Sequence, residues 1–410
     1  MKWISCQLGA REHYAIPRAL RRLNMLDCLV TDAWFPPSSL LAKIYGRESK
    51  LSYRFHDELS NTRVKEFSSS LIMFETFARA RGVSGWKKII ARDRWFQRKV
   101  VSALTSDFRL RTSDSPVLLS YSYTALEPFR YAKSRGWKTV LAQIDPGPVE
   151  EAIVAEEAAR VPKLAGSWRP APVDYWTCWR EECEIADRII VNSDWSREGL
   201  IRGGIAPEKL SVIPLAYEAQ EDRGQKAEVR RQVVYPDRFT FERPLRVLFL
   251  GLINLRKGVA RLLEAAQILR DEPVEFWLVG PVEIANVGAS ANGGRVKWFG
   301  TATRKQAAEF YKRADLLILP TLSDGFAITQ LEAQAHGLPV ISSKFCGKVV
   351  ENGLNGVILE EATATWIAAA VRDCVTSPDR LQQLAFASRV HDKFTLHALA
   401  RDLQHLDQTL

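Results

Sequence analysis

Apolar residues along this chain gather in short continuous runs, and between the runs they recur at helical spacing. Continuous runs are what strands buried on both faces require, and the amphipathic stretches between them are what covers those faces. In the first half the runs are Trp3–Leu8, Cys28–Asp32, Val117–Ser122, Lys138–Ile144, Arg188–Asn192 and Leu210–Pro214. Gly9-Ala10-Arg11 makes the turn after the first run, and Pro17 suits the first turn of a helix reaching Leu23. Residues from about 52 to 110 read as largely helical, with many charges and several aromatics.

The pattern breaks over residues 219–244, a polar and charged stretch with Pro236 and Pro244 near its end, which reads as a linker. Alternation restarts with a strand at Leu245–Leu250 and a helix at Gly258–Asp271 whose Leu262, Leu263, Ala266 and Leu269 share a face. Strands at Val274–Val279 and Val296–Gly300 and a helix at Ala307–Ala314 follow. The expected fold is α/β, with two doubly wound Rossmann-like domains facing a cleft. They would occupy residues 1–218 and 245–380, and 381–410 would form a helical segment crossing back to the first domain. No repeat with a period of 20–50 residues is visible.

At 410 residues the chain exceeds the size at which a single core keeps growing, which agrees with two domains. No apolar run approaches the ~18 residues of a membrane span, and Met1–Gly9 lacks the apolar core of a signal peptide, so a cytoplasmic location is the default expectation. The six cysteines form no Cys-x-x-Cys pair and have no histidines at zinc spacing, so no metal site is expected. A net charge of +9 favours anionic partners without choosing among nucleotide phosphates, lipid headgroups and nucleic acid.

The chemistry concentrates where Leu316–Leu319 gives way to Ser323-Asp324-Gly325-Phe326-Ala327-Ile328-Thr329-Gln330-Leu331-Glu332. That order reads as buried strand, turn and helix, with the helix beginning near Ala327. Two carboxylates would face one cleft at different depths, with backbone N–H groups between them. Such a site suits a ligand with hydroxyls at both ends and phosphate in the middle, and a nucleotide sugar is that ligand. A second loop, Gly251 to Gly258, carries Arg256 and Lys257 into the amino end of a helix, where cations oppose the helix dipole. That placement is easiest to understand if an anion binds there. Gly280, and Gly300 with Thr301, end the next two strands, where ordinary turns compete with ligand contact. In the first half Asp145, in Gln143-Ile144-Asp145-Pro146, ends a strand and could orient an acceptor or act as a base, an Asp-Pro turn being the competing account. Gly9 and His13 are candidates on the same side. Trp86–Lys99 mixes cations with large apolar residues, a pattern that suits either an anionic membrane surface or a packed helix.

Asp324-Gly325-Phe326 with Glu332 resembles the acid-x7-Glu signature of retaining glycosyltransferases of the GT-B fold, glycosyltransferase family four (group 1) in particular. The resemblance is strong from Leu245 to Leu359 and weak before Arg188. It implies transfer of a sugar from a nucleotide diphosphate donor, of UDP or GDP type, to a glycan or lipid-linked acceptor hydroxyl. It further implies retention of anomeric configuration with no cofactor and no metal. The chain shows no RNA- or DNA-reading motif, so no nucleic acid partner is expected, and the Trp86–Lys99 mixture offers peripheral contact at the inner face of a membrane. The resemblance assigns catalytic roles to Arg256, Lys257, Asp324 and Asp145. Donor binding would fall to Gly9, Gly251, Gly280, Gly300, Thr301, Gly325, Phe326, Ala327, Ile328, Thr329 and Glu332. The chain departs from the family at Asp324, where Glu is usual, at Leu252 for Arg, at Ile144 for His and at Leu215 for Asn. After Ser343 it also lacks the family's Gly-Gly-x-Pro-Glu run. A catalytically silent nucleotide-sugar or polyanion-binding protein on the same fold is the alternative. The acid-x7-Glu unit argues against a nucleotide-sugar epimerase.

Overall fold

The computed structural model describes residues 1–38, 54–106, 115–166, 168–218, 234–285 and 295–410. The first sheet is built from β1 (Trp3–Gln7), β2 (Leu26–Thr31), β3 (Val64–Glu66), β4 (Val117–Tyr121), β5 (Lys138–Gln143), β6 (Arg188–Val191) and β7 (Leu210–Val212). Its strands are all parallel and lie in the order β3-β2-β1-β4-β5-β6-β7. The second sheet is built from β8 (Leu245–Leu250), β9 (Val274–Val279), β10 (Val296–Gly300), β11 (Leu316–Leu319), β12 (Val340–Ser343) and β13 (Gly356–Leu359). It too is parallel, in the order β10-β9-β8-β11-β12-β13. Strand order reverses between β1 and β4 and again between β8 and β11. At such switch points the loops leaving the carboxyl ends diverge and open a crevice.

Helices cover both faces of each sheet. In the first domain these are α1 (Ala15–Arg22), α2 (Ser68–Ala80), α3 (Gly85–Ser106), α4 (Leu126–Ser134), α5 (Pro148–Arg160), α6 (Pro162–Ala165), α7 (Val173–Ile185) and α8 (Asp194–Arg202). Beyond β8 come α9 (Val259–Ile268), α10 (Arg304–Arg313), α11 (Thr329–Ala335), α12 (Ala364–Thr376), α13 (Pro378–Ala387) and α14 (Leu396–Gln408). Every residue of β1 is buried. Trp3 joins Leu20, Leu399 and Leu403 on one face, while Ile4 and Cys6 join Phe96, Val100 and Phe129 on the other. The last helix, α14, therefore packs against the first sheet, and Asp407 accepts from the Trp3 indole at 2.8 Å. In the second domain Val247 and Phe249 meet Leu262, Ile367 and Val371 on one face, and Leu248 meets Tyr311 on the other. Each fully buried side chain of this size contributes roughly 1.5–3 kcal/mol.

Three expectations change, and the two readings left open for Trp86–Lys99 are narrowed. The stretch from 52 to 110 is helical in α2 and α3, but it also holds the edge strand β3, whose Val-Lys-Glu sequence is too short and polar to show a strand pattern. Trp95 does not face outward: it is buried against Phe67 and Phe74. The Trp86 indole donates to Arg169 O at 3.0 Å, so this ring too is tied into the protein. Of the linker, residues 219–233 lie outside the described residues, and from Tyr235 onward the chain is already in the second core with Phe239. Finally, α11 begins at Thr329, because Ala327 adopts a left-handed conformation (φ +62°) that interrupts the helix. No helix among the described residues is long and apolar enough to cross a membrane.

Candidate active site

The carboxyl ends of the two sheets meet. Gly325, after β11, accepts from Ser193 Oγ at 2.5 Å, and the Trp195 indole donates to Ser323 Oγ at 3.0 Å, both partners lying just after β6. A Cβ on Gly325 would fall 2.0 Å from Ile144 O, so only glycine permits this approach.

The loop from β8 to α9 presents the two cations. Its end is fixed by Gly258 (φ +73°), where a Cβ would stand 1.9 Å from Pro320 O. Leu322 N and Thr321 Oγ1 donate to Arg256 O at 2.9 and 3.0 Å, which pins the Arg256 backbone to the loop after β11. Lys257 reaches Asp324 Oδ2 in a short ion pair, and Arg256 NH1 lies 3.4 Å from the same oxygen. Burial alone would raise the Asp324 carboxyl, but Lys257 and Arg256 outweigh it and hold the group well below the usual carboxylate range. Asp324 is therefore ionised, and it binds together the very cations, Lys257 and Arg256, that the sequence separates from it by 67 and 68 residues.

The other oxygen of Asp324 accepts from Phe326 N and Ala327 N at 3.1 and 3.0 Å. These amides, which the family resemblance assigns to the donor, are here engaged by the acid itself, in a turn of the kind Asp commonly makes. The Phe326 side chain packs on Phe394 in the core, so this residue has only its backbone to offer a ligand. Ile328 precedes α11, and Thr329 is its first residue. Glu332 lies in the first turn of α11, where the helix dipole favours an anion, and accepts from Tyr311 OH at 2.7 Å. The Tyr311 ring stacks on His336 at 5.1 Å, bracing this end of the site. Tyr311 and His336 were not candidates from the sequence.

Three of the glycines belong to the scaffold. Gly251 N donates to Val279 O at 3.0 Å, Gly280 N donates to Gly300 O at 2.7 Å, and a Cβ on Gly280 would lie 1.8 Å from Gly251 O. That approach accounts for Gly280 whether or not a ligand touches it, whereas at Gly251 and Gly300 a Cβ would meet nothing and the positive φ (+145° and +68°) is what favours glycine. Thr301 follows on the exposed rim.

In the first domain Asp145 Oδ1 accepts from Tyr123 OH, Gln143 Nε2 and Gly147 N at 2.6, 3.0 and 2.9 Å. It is a turn-forming residue that also sits within electrostatic reach of Arg256. Gly9 N donates to Asp32 Oδ1 at 2.8 Å, and the same oxygen takes Arg54 at 2.7 Å, so Gly9 is held within its own domain. Glu12, His13 and Tyr14 carry φ values of +50°, +52° and +61°. Three consecutive left-handed residues without glycine cost about 1–2 kcal/mol each, and strain of this kind collects at functional sites. Burial, then Arg304, His56 and Arg18, push the His13 imidazole down to about 4. Arg304, at the start of α10, approaches His13 Nδ1 at 3.5 Å across the cleft. Glu150 on α5 was missed by the sequence reading, since an acid in a helix's first turn looks ordinary: its Oε1 lies 3.6 Å from Arg256 Nε.

Residues 244–377 match the family model described as "Glycosyl transferases group 1". That stretch, about a third of the chain, is similar to the group 1 glycosyltransferases, and the two parallel sheets have the two-domain α/β arrangement of the GT-B fold. The chain is 28% identical to the D-inositol 3-phosphate glycosyltransferase of Segniliparus rotundus over 237 residues, 53% of this chain and 51% of that one. It is 26% identical to the amylovoran biosynthesis glycosyltransferase AmsK of Erwinia amylovora, over 45% of this chain and 51% of that one. The chain thus spans about half the length of these curated relatives. Among solved structures, HepE of Anabaena in complex with UDP and glucose aligns over all of both chains with a TM-score of 0.61 at 14% identity. Sucrose-phosphate synthase of Thermosynechococcus elongatus aligns with a TM-score of 0.62 at 18% identity, covering 100% of this chain and 99% of that one. At such identities the likeness is one of fold. The group 1 match coincides with the half that carries Arg256, Lys257, Asp324 and Glu332.

Proposed function

We propose that the protein is a group 1 glycosyltransferase that moves a sugar from a nucleotide diphosphate donor to an acceptor hydroxyl, retaining the anomeric configuration and using no metal. The observation that carries the reading is the convergence of Lys257 and Arg256 on Asp324, where the two sheets meet at their carboxyl ends. Glu332 and Tyr311 lie on the far side of the same turn. In the proposed mode the ribose hydroxyls bind Glu332, the diphosphate binds Lys257 and Arg256, and the sugar hydroxyls reach Asp324. As the bond from the anomeric carbon to the diphosphate breaks, negative charge grows on the departing oxygen. Two preorganised cations stabilise that charge in the place a metal takes in other folds. The acceptor enters from the first domain, beside Asp145 and the strained turn at Glu12–Tyr14. A donor of UDP or GDP type and a glycan or lipid-linked acceptor fit this reading.

Thermal shift of the full chain against a panel of UDP-, GDP- and ADP-sugars tests it, because a bound donor raises apparent stability by mass action. One nucleotide class is expected to stabilise the protein and then to be consumed when acceptor is supplied. Stabilisation without any transfer or hydrolysis would favour the silent binding protein instead.

The same reading puts the protein peripherally on an anionic membrane face. The surface that supports it is α2 rather than the buried tryptophan of α3. Met73 and Phe77 are 73% and 57% exposed, Arg81 lies over the Phe77 ring, and Lys87 and Arg98 are exposed on α3.

A further inference from the structure

Glu150 is the one acid of the site to which the proposed reaction gives no task. It occupies the third position of α5, in the first domain, and its side chain crosses to the second. Its Oε2 accepts from Ser323 Oγ at 2.8 Å, and its Oε1 lies 3.6 Å from Arg256 Nε. The same guanidinium lies 3.4 Å from Asp324 Oδ2 and donates to Ser323 O at 3.3 Å. Lys257 is paired with Asp324. Two cations are thus matched by two carboxylates, one from each domain, at the place where a diphosphate would have to meet both cations. A guanidinium receives carboxylate and phosphate oxygens through the same planar fork, so the two anions are interchangeable partners for it.

Building on the donor-clamp reading, we propose that Glu150 and the donor diphosphate are alternative ligands of Arg256, and that nucleotide binding displaces Glu150 from the guanidinium. Glu150 is then a positioning residue. It holds the arginine fork open toward the cleft, ties α5 to the loop after β11, and yields the fork to phosphate.

The groups facing Glu150 are Arg256 from the loop after β8, Asp324 and Ser323 from the loop after β11, and Asp145 from the loop after β5. Burial raises the Glu150 carboxyl to about 8, with Arg256 opposing and Asp145 and Asp324 adding to the rise. The amino end of α5 works for the anion. Below about pH 8 Glu150 is mostly the neutral acid, and it competes with a diphosphate for Arg256 only as the carboxylate present above that pH. A diphosphate on Arg256 occupies the guanidinium and adds negative charge, so the displaced acid is protonated. Binding above pH 8 must then take up a proton.

Calorimetry on the full chain decides this, with UDP, GDP and inorganic pyrophosphate as probes at pH 6.5 and pH 9. The proteins compared are the wild type, Glu150→Gln and Lys257→Ala. Glutamine has the shape of the protonated acid. Glu150→Gln and wild type are expected to bind alike at pH 6.5. At pH 9 the variant is expected to bind about tenfold tighter, since each pH unit above the carboxyl's pKa weakens the wild type about tenfold. A structural acid would instead give weaker binding at both pH values when replaced. The wild type alone supplies a second readout: uptake of close to one proton per bound probe at pH 9, measured in two buffers of different ionisation enthalpy. If no probe binds the wild type, or Lys257→Ala binds as well as wild type, the donor clamp itself is wrong. If probes bind through Lys257 but Glu150→Gln is no tighter at pH 9, or no proton is taken up, the clamp stands and the exchange is refuted.

Discussion

Lys257 and Asp324 illustrate how little of a site's wiring a linear motif carries. Asp324 was legible from its place between a buried strand and Glu332, and Lys257 from its place against a helix dipole. That the two form an ion pair became visible only when β8 and β11 lay side by side. Glu150, Tyr311 and His336 were not legible, because an isolated acid, a tyrosine and a histidine in amphipathic helices look like ordinary surface or core residues. Removing the Lys257 ammonium as Lys257→Ala should lower turnover by about 100–1000-fold, the effect of one preorganised charge-stabilising donor. Steady-state kinetics with the identified donor checks this, and near-normal turnover would remove the loop from the mechanism. Glu12 offers a pH test of the strained turn. Burial raises its carboxyl from 4.5 to about 7, with Arg11 opposing. A carboxyl raised in the folded chain binds its proton more tightly there than in the unfolded chain, so the fold loses stability as pH climbs from 4.5 through 7. Glu12→Gln escapes that loss. Its melting temperature should match wild type at pH 4.5 and exceed it at pH 8, and equal melting temperatures at both pH values would contradict the burial of a neutral acid.

At the scale of elements, the second domain was the more legible half. The observed β8, β9 and β10 have the bounds expected from the apolar runs, because parallel strands covered on both faces need uninterrupted apolar residues. The edge strand β3 escaped for the opposite reason, being three residues long with only Val64 apolar. The start of α11 was misplaced by two residues, since nothing in an Ala-Ile-Thr sequence signals a left-handed alanine. The mixture of charge and apolar residues in α3 had two explanations, and tertiary packing chose the inward one for Trp95 and Phe96. Of the outward apolar residues, Ile89 stays on α3, while the more exposed Met73 and Phe77 belong to α2. Replacing Met73 and Phe77 together by serine should weaken co-sedimentation with anionic vesicles, while Trp86→Phe should leave it close to wild type. The reverse order of effects would return the membrane contact to α3.

For the whole molecule, the decisive feature is that the first domain's α5 and α6 lean on the second domain. Val154 and Ala158 join its core, Glu157 pairs with Arg261 at 2.8 Å, Arg160 pairs with Glu264 at 2.7 Å, and Ala285 N donates to Leu164 O at 2.9 Å. Glu150 of the first domain faces Arg256 of the second at 3.6 Å, so seating a diphosphate on Arg256 is expected to involve a movement of the two domains. Small-angle scattering should show compaction when saturating nucleotide diphosphate is added, and identical curves would contradict a hinge. The central claim, that a nucleotide sugar lies with its nucleoside end on Glu332 and its sugar end on Asp324, is tested most directly by calorimetry. The comparison is Glu332→Gln and Asp324→Asn, each titrated with the intact donor and with the bare nucleotide diphosphate. A charge-assisted hydrogen bond contributes on the order of 1.5–3 kcal/mol, so each loss should exceed about tenfold. Glu332→Gln is predicted to weaken both ligands. Asp324→Asn should weaken the donor alone, leaving the bare diphosphate bound at least as tightly because Lys257 and Arg256 lose their internal partner. The same pattern in both variants, or unchanged diphosphate binding by Glu332→Gln, would contradict the account.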